Sequence, residues 1–169
     1  MFQRIAAAAA AVGLCAGLAP AVAAAEGMKP EAVDFARDLP ATEAALQSVC
    51  SSQETRAITP AQIPGVTEQK QIDCDGFDFF GKGRRAEFVF GDGELVLVWI
   101  LTEAADEAQL IAAFKDAYGA PTHETADMVA FADDHAAVRR DKPEALFYSP
   151  AVAEPFRARF DAMAAGAAQ

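Results

Sequence analysis

The segment from Ile72 to Leu101, IDCDGFDFFGKGRRAEFVFGDGELVLVWIL, carries the strongest structural signal in the chain. Three extended segments in it are separated by glycine turns, which predicts a three-stranded antiparallel meander. In the first segment Ile72 and Phe77 have opposite parity, and a β-bulge at Gly76 would return both to one face. The dipeptide Asp92-Gly93 is typical of a two-residue hairpin turn, in which both central positions need a positive φ.

The third segment, ELVLVWIL over 94–101, is apolar on both faces. Simple alternation predicts that Leu95, Leu97, Trp99 and Leu101 face the helices, and it assigns the other face to Val96, Val98 and Ile100. Two alternatives explain that second face. Either terminal segments that carry Phe35, Phe156 and Phe160 cover it, or it is an exposed interaction surface for a partner or a second copy.

Helices flank this meander, and a second set of strands follows it. A helix is predicted from about 40 to 50 and another from Thr102, as its cap, to Tyr118, where Gly119 ends it. Residues 51–70 predict a long surface connection, because they are polar and contain prolines and glycine. Short strands are predicted near 126–132, 136–140 and 145–148, and a last helix at about 152–164.

The order of a helix and three strands therefore occurs twice. We predict an α+β fold of two αβββ units, at about 30–101 and 102–149, with antiparallel meander sheet packed against helices. Whether the units share one continuous sheet stays open. The whole of 26–169 is expected to be a single exported domain.

The N-terminal segment, 1–25, has the features of a secretory signal peptide. A basic region with Arg4 precedes an apolar run over 5–19, and small residues at Ala23 and Ala25 form a cleavage site. The run is about 15 residues, shorter than the roughly 20 that span a bilayer, and no other stretch is long enough to do so. We expect an exported protein, periplasmic in the first place and secreted as the alternative. Lipidation at Cys15 competes, although Leu14 before it is not small.

Cys50 and Cys74 are the two cysteines that remain after signal removal. An even pair in an exported chain predicts a disulfide. Two free thiols are the alternative.

The helix that ends in Tyr118-Gly119-Ala120-Pro121 before strands, the element order and the exported context together resemble two kinds of bacterial protein. One is the BamE/SmpA-type envelope module, and the other is the tandem αβββ arrangement of the β-lactamase inhibitory protein. The resemblance covers about 41–149. It implies a protein-binding or assembly role, and it transfers no binding residue.

The charge balance argues against non-specific nucleic-acid binding. The chain has 14 Lys plus Arg against 25 Asp plus Glu, a formal net charge of −11, whereas polyanions are held by clustered basic residues. The basic residues nevertheless concentrate in two segments, which predicts a possible basic patch for an anionic ligand or an acidic partner, with solvated turns as the alternative. Its members are Lys82, Arg84, Arg85, Arg139, Arg140 and Lys142.

Catalytic and metal chemistries find few candidate residues. The only histidines, His123 and His135, are expected at opposite ends of a strand, too far apart to share a metal ion with Asp127, Asp133 or Asp134. The acidic residues Asp73, Asp75 and Asp78 do not follow the EF-hand spacing and are expected on the solvent face of a strand. Gly81-Lys82-Gly83 is expected to be a hairpin turn, since it lacks the rest of a P-loop. We expect no catalytic residue, metal or cofactor.

Two functions remain. The first is a non-catalytic exported binding or assembly module that acts through a sheet face or the basic hairpins on an envelope protein or as a homodimer. The second is a periplasmic carrier of a small apolar ligand or lipid, with Trp99 and Tyr118 lining its cavity. An enzyme with an unfamiliar site is a weaker third hypothesis.

Overall fold

The computed structural model describes residues 28–167, so the predicted signal peptide lies outside the described residues. Three helices and eight strands follow one another along the chain in two groups, with short 3-10 turns at 104–106, 132–134 and 150–152. The first group is α1 (Leu39–Leu46), β1 (Ser52–Ile58), β2 (Gln69–Phe79), β3 (Lys82–Gly91) and β4 (Glu94–Leu101). The second is α2 (Glu107–Tyr118), β5 (His123–Glu124), β6 (Met128–Phe131), β7 (Ala136–Arg139) and β8 (Glu144–Tyr148), followed by α3 (Ala153–Ala167).

All strands form one antiparallel sheet with the order β1-β2-β3-β4-β8-β7-β6-β5. The two groups join through their last strands, because β4 pairs with β8. The predicted α+β fold with an antiparallel meander sheet is confirmed, and the two groups share one continuous sheet. Within residues 28–167, no helix is long and apolar enough to cross a membrane.

The predicted surface connection over 51–70 is wrong in its first part, where β1 pairs with β2. The sequence SQETRAI lacks an apolar face because β1 is an edge strand whose side chains are exposed on both sides. Alternation of apolar and polar residues reports burial of one face. A strand without a buried face therefore has no such signal.

Two bulges set which residues face which side of the sheet. The predicted bulge lies between Cys74 and Phe77, with Gly76 at φ +76°, and it places Ile72, Cys74, Phe77 and Phe79 in one core cluster. A second, unpredicted bulge lies in β4, since Val89 pairs with Leu97 while Phe90 pairs with Leu95. The extra residue is Val96.

Both sides of the sheet are packed, but unequally. On the side we call the helix face, residues 28–35, α1 and α2 cover a core that contains Phe114, Phe131 and Phe147. On the opposite side, α3 brings Phe156 and Phe160 onto Leu146 and Tyr148 of β8. The middle of that second side stays open. We call the whole of this side the groove face.

The disulfide Cys50–Cys74 is confirmed, with a Cα–Cα distance of 5.4 Å. It joins the loop between α1 and β1 to the middle of β2. The Asp92-Gly93 turn is confirmed by positive φ at both residues. The turn between β2 and β3 lies at Phe80-Gly81, where both residues have positive φ. It is not centred on the predicted Gly81-Lys82-Gly83, because β3 already begins at Lys82.

Candidate functional site

An open groove of about 240 Å³ lies on the groove face beside the connection that carries Gln62 and Ile63. Five neighbouring strands supply its floor, because alternate residues of each strand point to this side. We call it the sheet groove. Its principal side chains are Gln69 and Gln71 of β2, Glu87 of β3, Trp99 of β4, Glu144 of β8 and Arg139 of β7.

Register alignment brings these side chains together. Glu87 of β3 lies opposite Trp99 of β4, and Glu144 of β8 lies opposite Arg139 of β7. Gln69 shapes the rim, since its Oε1 accepts the backbone N–H groups of Gln62 at 2.7 Å and Ile63 at 3.2 Å. The rim and floor are therefore held by hydrogen bonds before any ligand arrives.

At the β2 side of the groove, Asp73 is the centre of a buried charge cluster. Its side chain is 6% exposed and accepts hydrogen bonds or ion pairs from Arg56 Nε at 2.9 Å and Arg85 Nη2 at 2.8 Å. Gln71 Nε2 donates to its other oxygen. Burial alone would raise the pKa of Asp73, but the hydrogen bonds from Arg56 and Gln71 outweigh it and lower the pKa below its usual value.

At the other side, Glu144 is buried against two cations. Its side chain is 3% exposed, and its oxygens lie 3.3 Å from Arg139 Nη1 and 3.3 Å from Lys142 Nζ. Burial raises the pKa of Glu144, and these cations only partly offset it. The Arg139 guanidinium lies 5.9 Å from the centre of the half-buried Trp99 ring, within cation–π range.

The groove thus combines an aromatic ring with fixed donors and acceptors of both charges. Such a surface binds a polar group that offers donors and acceptors beside a flat apolar part. General acid–base catalysis would need a pair of groups with opposed pKa shifts around a reacting atom. The pKa values of Asp73 and Glu144 do shift in opposite directions, but each carboxylate already forms ion pairs with two cations of this chain.

The predicted basic patch does not form as one surface. Paired registers through Ala86, Ile100, Ala145 and Val138 do bring both basic segments to the same end of the sheet. Strand alternation then divides them, with Lys82, Arg84 and Arg140 directed to α2 or its 3-10 turn and Arg85, Arg139 and Lys142 to the groove face.

Each of these six basic residues also lies in an ion pair. Lys82 and Arg84 share Asp106, Arg140 contacts Glu107 and Glu124, and the three groove-face residues contact Asp73, Asp141 or Glu144. Opposite charges at this end of the sheet therefore compensate one another. The six basic residues therefore form two charge-compensated groups on opposite sides of the sheet.

The predicted interaction surface of Val96, Val98 and Ile100 is buried by the chain itself, with exposures of 5%, 0% and 0%. Nor do these residues share a face. The bulge places Val96 with Leu97 and Trp99 on the groove face, whereas Val98 and Ile100 join the core of the helix face. The terminal segments cover both sides, as Phe156 and Phe160 pack on the groove face and Phe35 on the helix face.

The same separation removes the cavity expected for an apolar carrier. Trp99 packs with the groove-face cluster and Tyr118 with the helix-face cluster. The sheet lies between them, so the two rings cannot line one cavity.

His123 links β5 to α3, whereas the His135 ring lies 5.3 Å from the Tyr148 ring. His123 Nε2 lies 2.8 Å from Asp161 Oδ1 of α3, and its Nδ1 lies 3.0 Å from Thr122 Oγ1. That hydroxyl also accepts the N–H of Ala132, at the end of the β5–β6 hairpin opposite its turn. Among residues 28–167, no group of three or more His, Cys, Asp or Glu side chains is placed to hold a metal ion.

Sequence reasoning missed the groove residues Gln71, Glu87 and Glu144 and misplaced Asp73, which is buried and not solvated. The available signal was the alternation Gln69-x-Gln71-x-Asp73, which has the same pattern as a solvated strand face. Only the approach of β7, β8 and the 59–68 connection turns that face into a groove.

No protein-family model, curated protein or solved structure matches this chain. The resemblance to BamE/SmpA-type and β-lactamase-inhibitory-protein modules stays a prediction from element order.

Proposed function

We propose that the protein is a non-catalytic exported binding module whose sheet groove holds a peptide segment of another exported protein. One observation carries the proposal. Three buried polar side chains line the open groove beside its aromatic ring, with residue exposures of 6%, 6% and 3% for Gln69, Gln71 and Glu144. A fourth, Asp73 at 5%, accepts a hydrogen bond from Gln71.

Stability alone does not favour this composition. Burying charged groups carries a desolvation cost, and well-packed apolar residues of similar volume are often as stabilising or more so. The rest of the same face is packed with apolar side chains, since Ala130, Ala137 and Leu146 lie under α3. Buried polar side chains are confined to the open part of the face. This local departure from apolar packing supports a recognition role.

The charges indicate the class of partner. Asp73, Glu87 and Glu144 face cations of the chain, so the groove offers no excess charge to a simple anion or cation. A peptide segment offers backbone donors and acceptors together with a side chain that can stack on Trp99. A lipid or apolar carrier function has less support, because the groove lining is mainly polar.

Export is part of the proposal. The predicted signal peptide over 1–25 supports it, and the disulfide is compatible with an oxidising compartment. The periplasm is the compartment that we propose, and secretion is the alternative.

A photo-crosslinking amino acid placed at Gln62, on the groove rim, tests the proposal in the source cell. Glu31, exposed near α1 and outside the groove, is the matched control position. We expect one specific protein adduct from Gln62, none from Glu31, and loss of the adduct in a folded Trp99→Ala variant. Equal adducts from both positions, or an adduct insensitive to Trp99→Ala, would contradict the proposal.

Direct binding can then be measured with the chain's own fluorescence. Trp99 is the only tryptophan of the sequence, so its emission reports on the groove alone. Peptides from the crosslinked region should shift that emission saturably. Unchanged emission with those peptides would also reject the groove as the binding site, and lipid retained in native mass spectrometry would favour the carrier.

A further inference from the structure

Strand β1 leaves one edge of the sheet unpaired. It is the first strand in the order β1-β2-β3-β4-β8-β7-β6-β5 and pairs only with β2 within residues 28–167. Residues 52–57 are all exposed. An open edge of seven residues presents backbone donors and acceptors to which another strand can add.

The charges on this edge complement themselves. The register with β2 sets Arg56 opposite Gln71 and Glu54 opposite Asp73, so Glu54 and Arg56 both lie on the groove face. Thr55 between them points to the helix face, where its hydroxyl donates to Glu43 Oε1 at 2.6 Å. Reversing the order of Glu54-Thr55-Arg56 exchanges the negative and positive positions around Thr55.

We propose that two copies of the chain associate through antiparallel pairing of β1 with β1 about a two-fold axis at Thr55. In this register each Glu54 lies opposite the second copy's Arg56, and each Ser52 lies opposite the second copy's Ile58. Arg56 binds Asp73 through Nε. Its two terminal nitrogens are the groups that meet Glu54 across the axis.

Other symmetric registers are less favourable. A two-fold axis at Glu54 or at Arg56 sets two like charges directly opposite each other, which destabilises a cross-strand pair. A register shifted by one residue would turn the groove faces of the two copies to opposite sides of the sheet, and no two-fold axis relates the copies in such a register. The charge order therefore selects the Thr55 register, and the two sheet grooves then open on the same side of a continuous sheet.

The contact is small, so the dimer is weak. Seven residues at about 3.3 Å each span about 23 Å, and an edge contact of this length falls in the range of transient interfaces. Glu43 of both copies lies close to the axis and opposes association. We expect dissociation constants on the order of 10 to 100 µM.

Sedimentation velocity of the mature chain, over about 1 to 500 µM, measures this equilibrium. Glu54→Arg changes an exposed side chain and sets Arg opposite Arg on both sides of the axis, so dimerisation should weaken at least about tenfold. Glu31→Arg makes the same charge change away from the edge and should leave the dissociation constant unchanged. High salt should weaken the wild-type dimer, because these pairs are exposed.

A charge exchange gives the sharper result. Arg56→Glu should also be monomeric, while Asp73 keeps its ion pair with Arg85. An equal mixture of Glu54→Arg and Arg56→Glu chains restores opposite charges at both positions, so we expect heterodimers from two monomeric variants.

A wild type that stays monomeric to the highest concentration would overturn the proposal, as would a dimer that Glu54→Arg leaves intact. If Arg56→Glu does not fold by circular dichroism, the Glu54→Arg and Glu31→Arg comparison decides alone. Neither Glu54 nor Glu31 lines the sheet groove, so these variants test the dimer without altering the groove.

Discussion

Loss of the disulfide should remove a large part of the stability of this domain. Cys50 and Cys74 are 24 positions apart, and the loop that they close contains β1 and the 59–68 connection. In the chain-entropy description the unfolded state loses about 2.1 plus 1.5R ln 24, or about 11.6 cal/mol/K, which is about 3.5 kcal/mol at 25 °C. We therefore expect Cys50→Ala/Cys74→Ala to be less stable by about this amount.

Urea denaturation followed by circular dichroism measures the loss. With a denaturant slope of about 2 kcal/mol/M, the midpoint should fall by about 1.7 M. Reduced wild-type protein is the matched control, because it keeps the buried sulfur of Cys74 and isolates the effect of the link itself. A loss below about 1 kcal/mol in both proteins would refute the reasoning, since the loop would then be ordered in the unfolded chain or the bond would be strained.

Three further predictions concern the core, the bulge and the groove. Phe114→Ala removes a fully buried ring and should cost about 3 to 5 kcal/mol in urea denaturation. Gly76 and Gly81 both have positive φ, but a Cβ at Gly76 would lie 2.6 Å from Ser51 Oγ, whereas the space at Gly81 is open. Thermal denaturation should therefore show Gly76→Ala to be less stable than Gly81→Ala by at least about 1 kcal/mol. The lowered pKa of Asp73 stabilises the fold above its unfolded pKa of about 4 and ceases to do so as the pH falls through the lower folded value. Acid titration of Asp73→Asn should therefore show a shallower loss of stability below about pH 4 than wild type, and equal slopes would contradict this.

Local chemistry explains the parts of the fold that could be predicted. The Asp92-Gly93 turn, the end of α2 at Gly119 and the bulge at Gly76 each follow from what a few adjacent residues allow the backbone to do. The disulfide followed from two cysteines in a chain with an apparent export signal. These features needed no information about distant residues.

The candidate site could not be predicted in the same way. Polar residues at Gln71, Asp73 and Glu144 have the pattern of solvated strand faces, and they become a buried cluster only when strands far apart in sequence meet. The basic segments show the converse. They would meet only if the two strand groups shared a sheet, and the carboxylates that compensate them come from α2, its 3-10 turn and other strands.

Side-chain periodicity, local backbone preference and the cysteine pair are enough to predict the α+β class, most helix and strand positions, the first bulge and the disulfide. The fold was needed to show that β1 is a strand, that Val96 and Val98 face opposite sides, and that polar residues of four strands surround Trp99. The physical reason is pairing register. A single extra residue in β4 changes the face of its neighbours, and that residue is accommodated by the partner strand as much as by its own sequence.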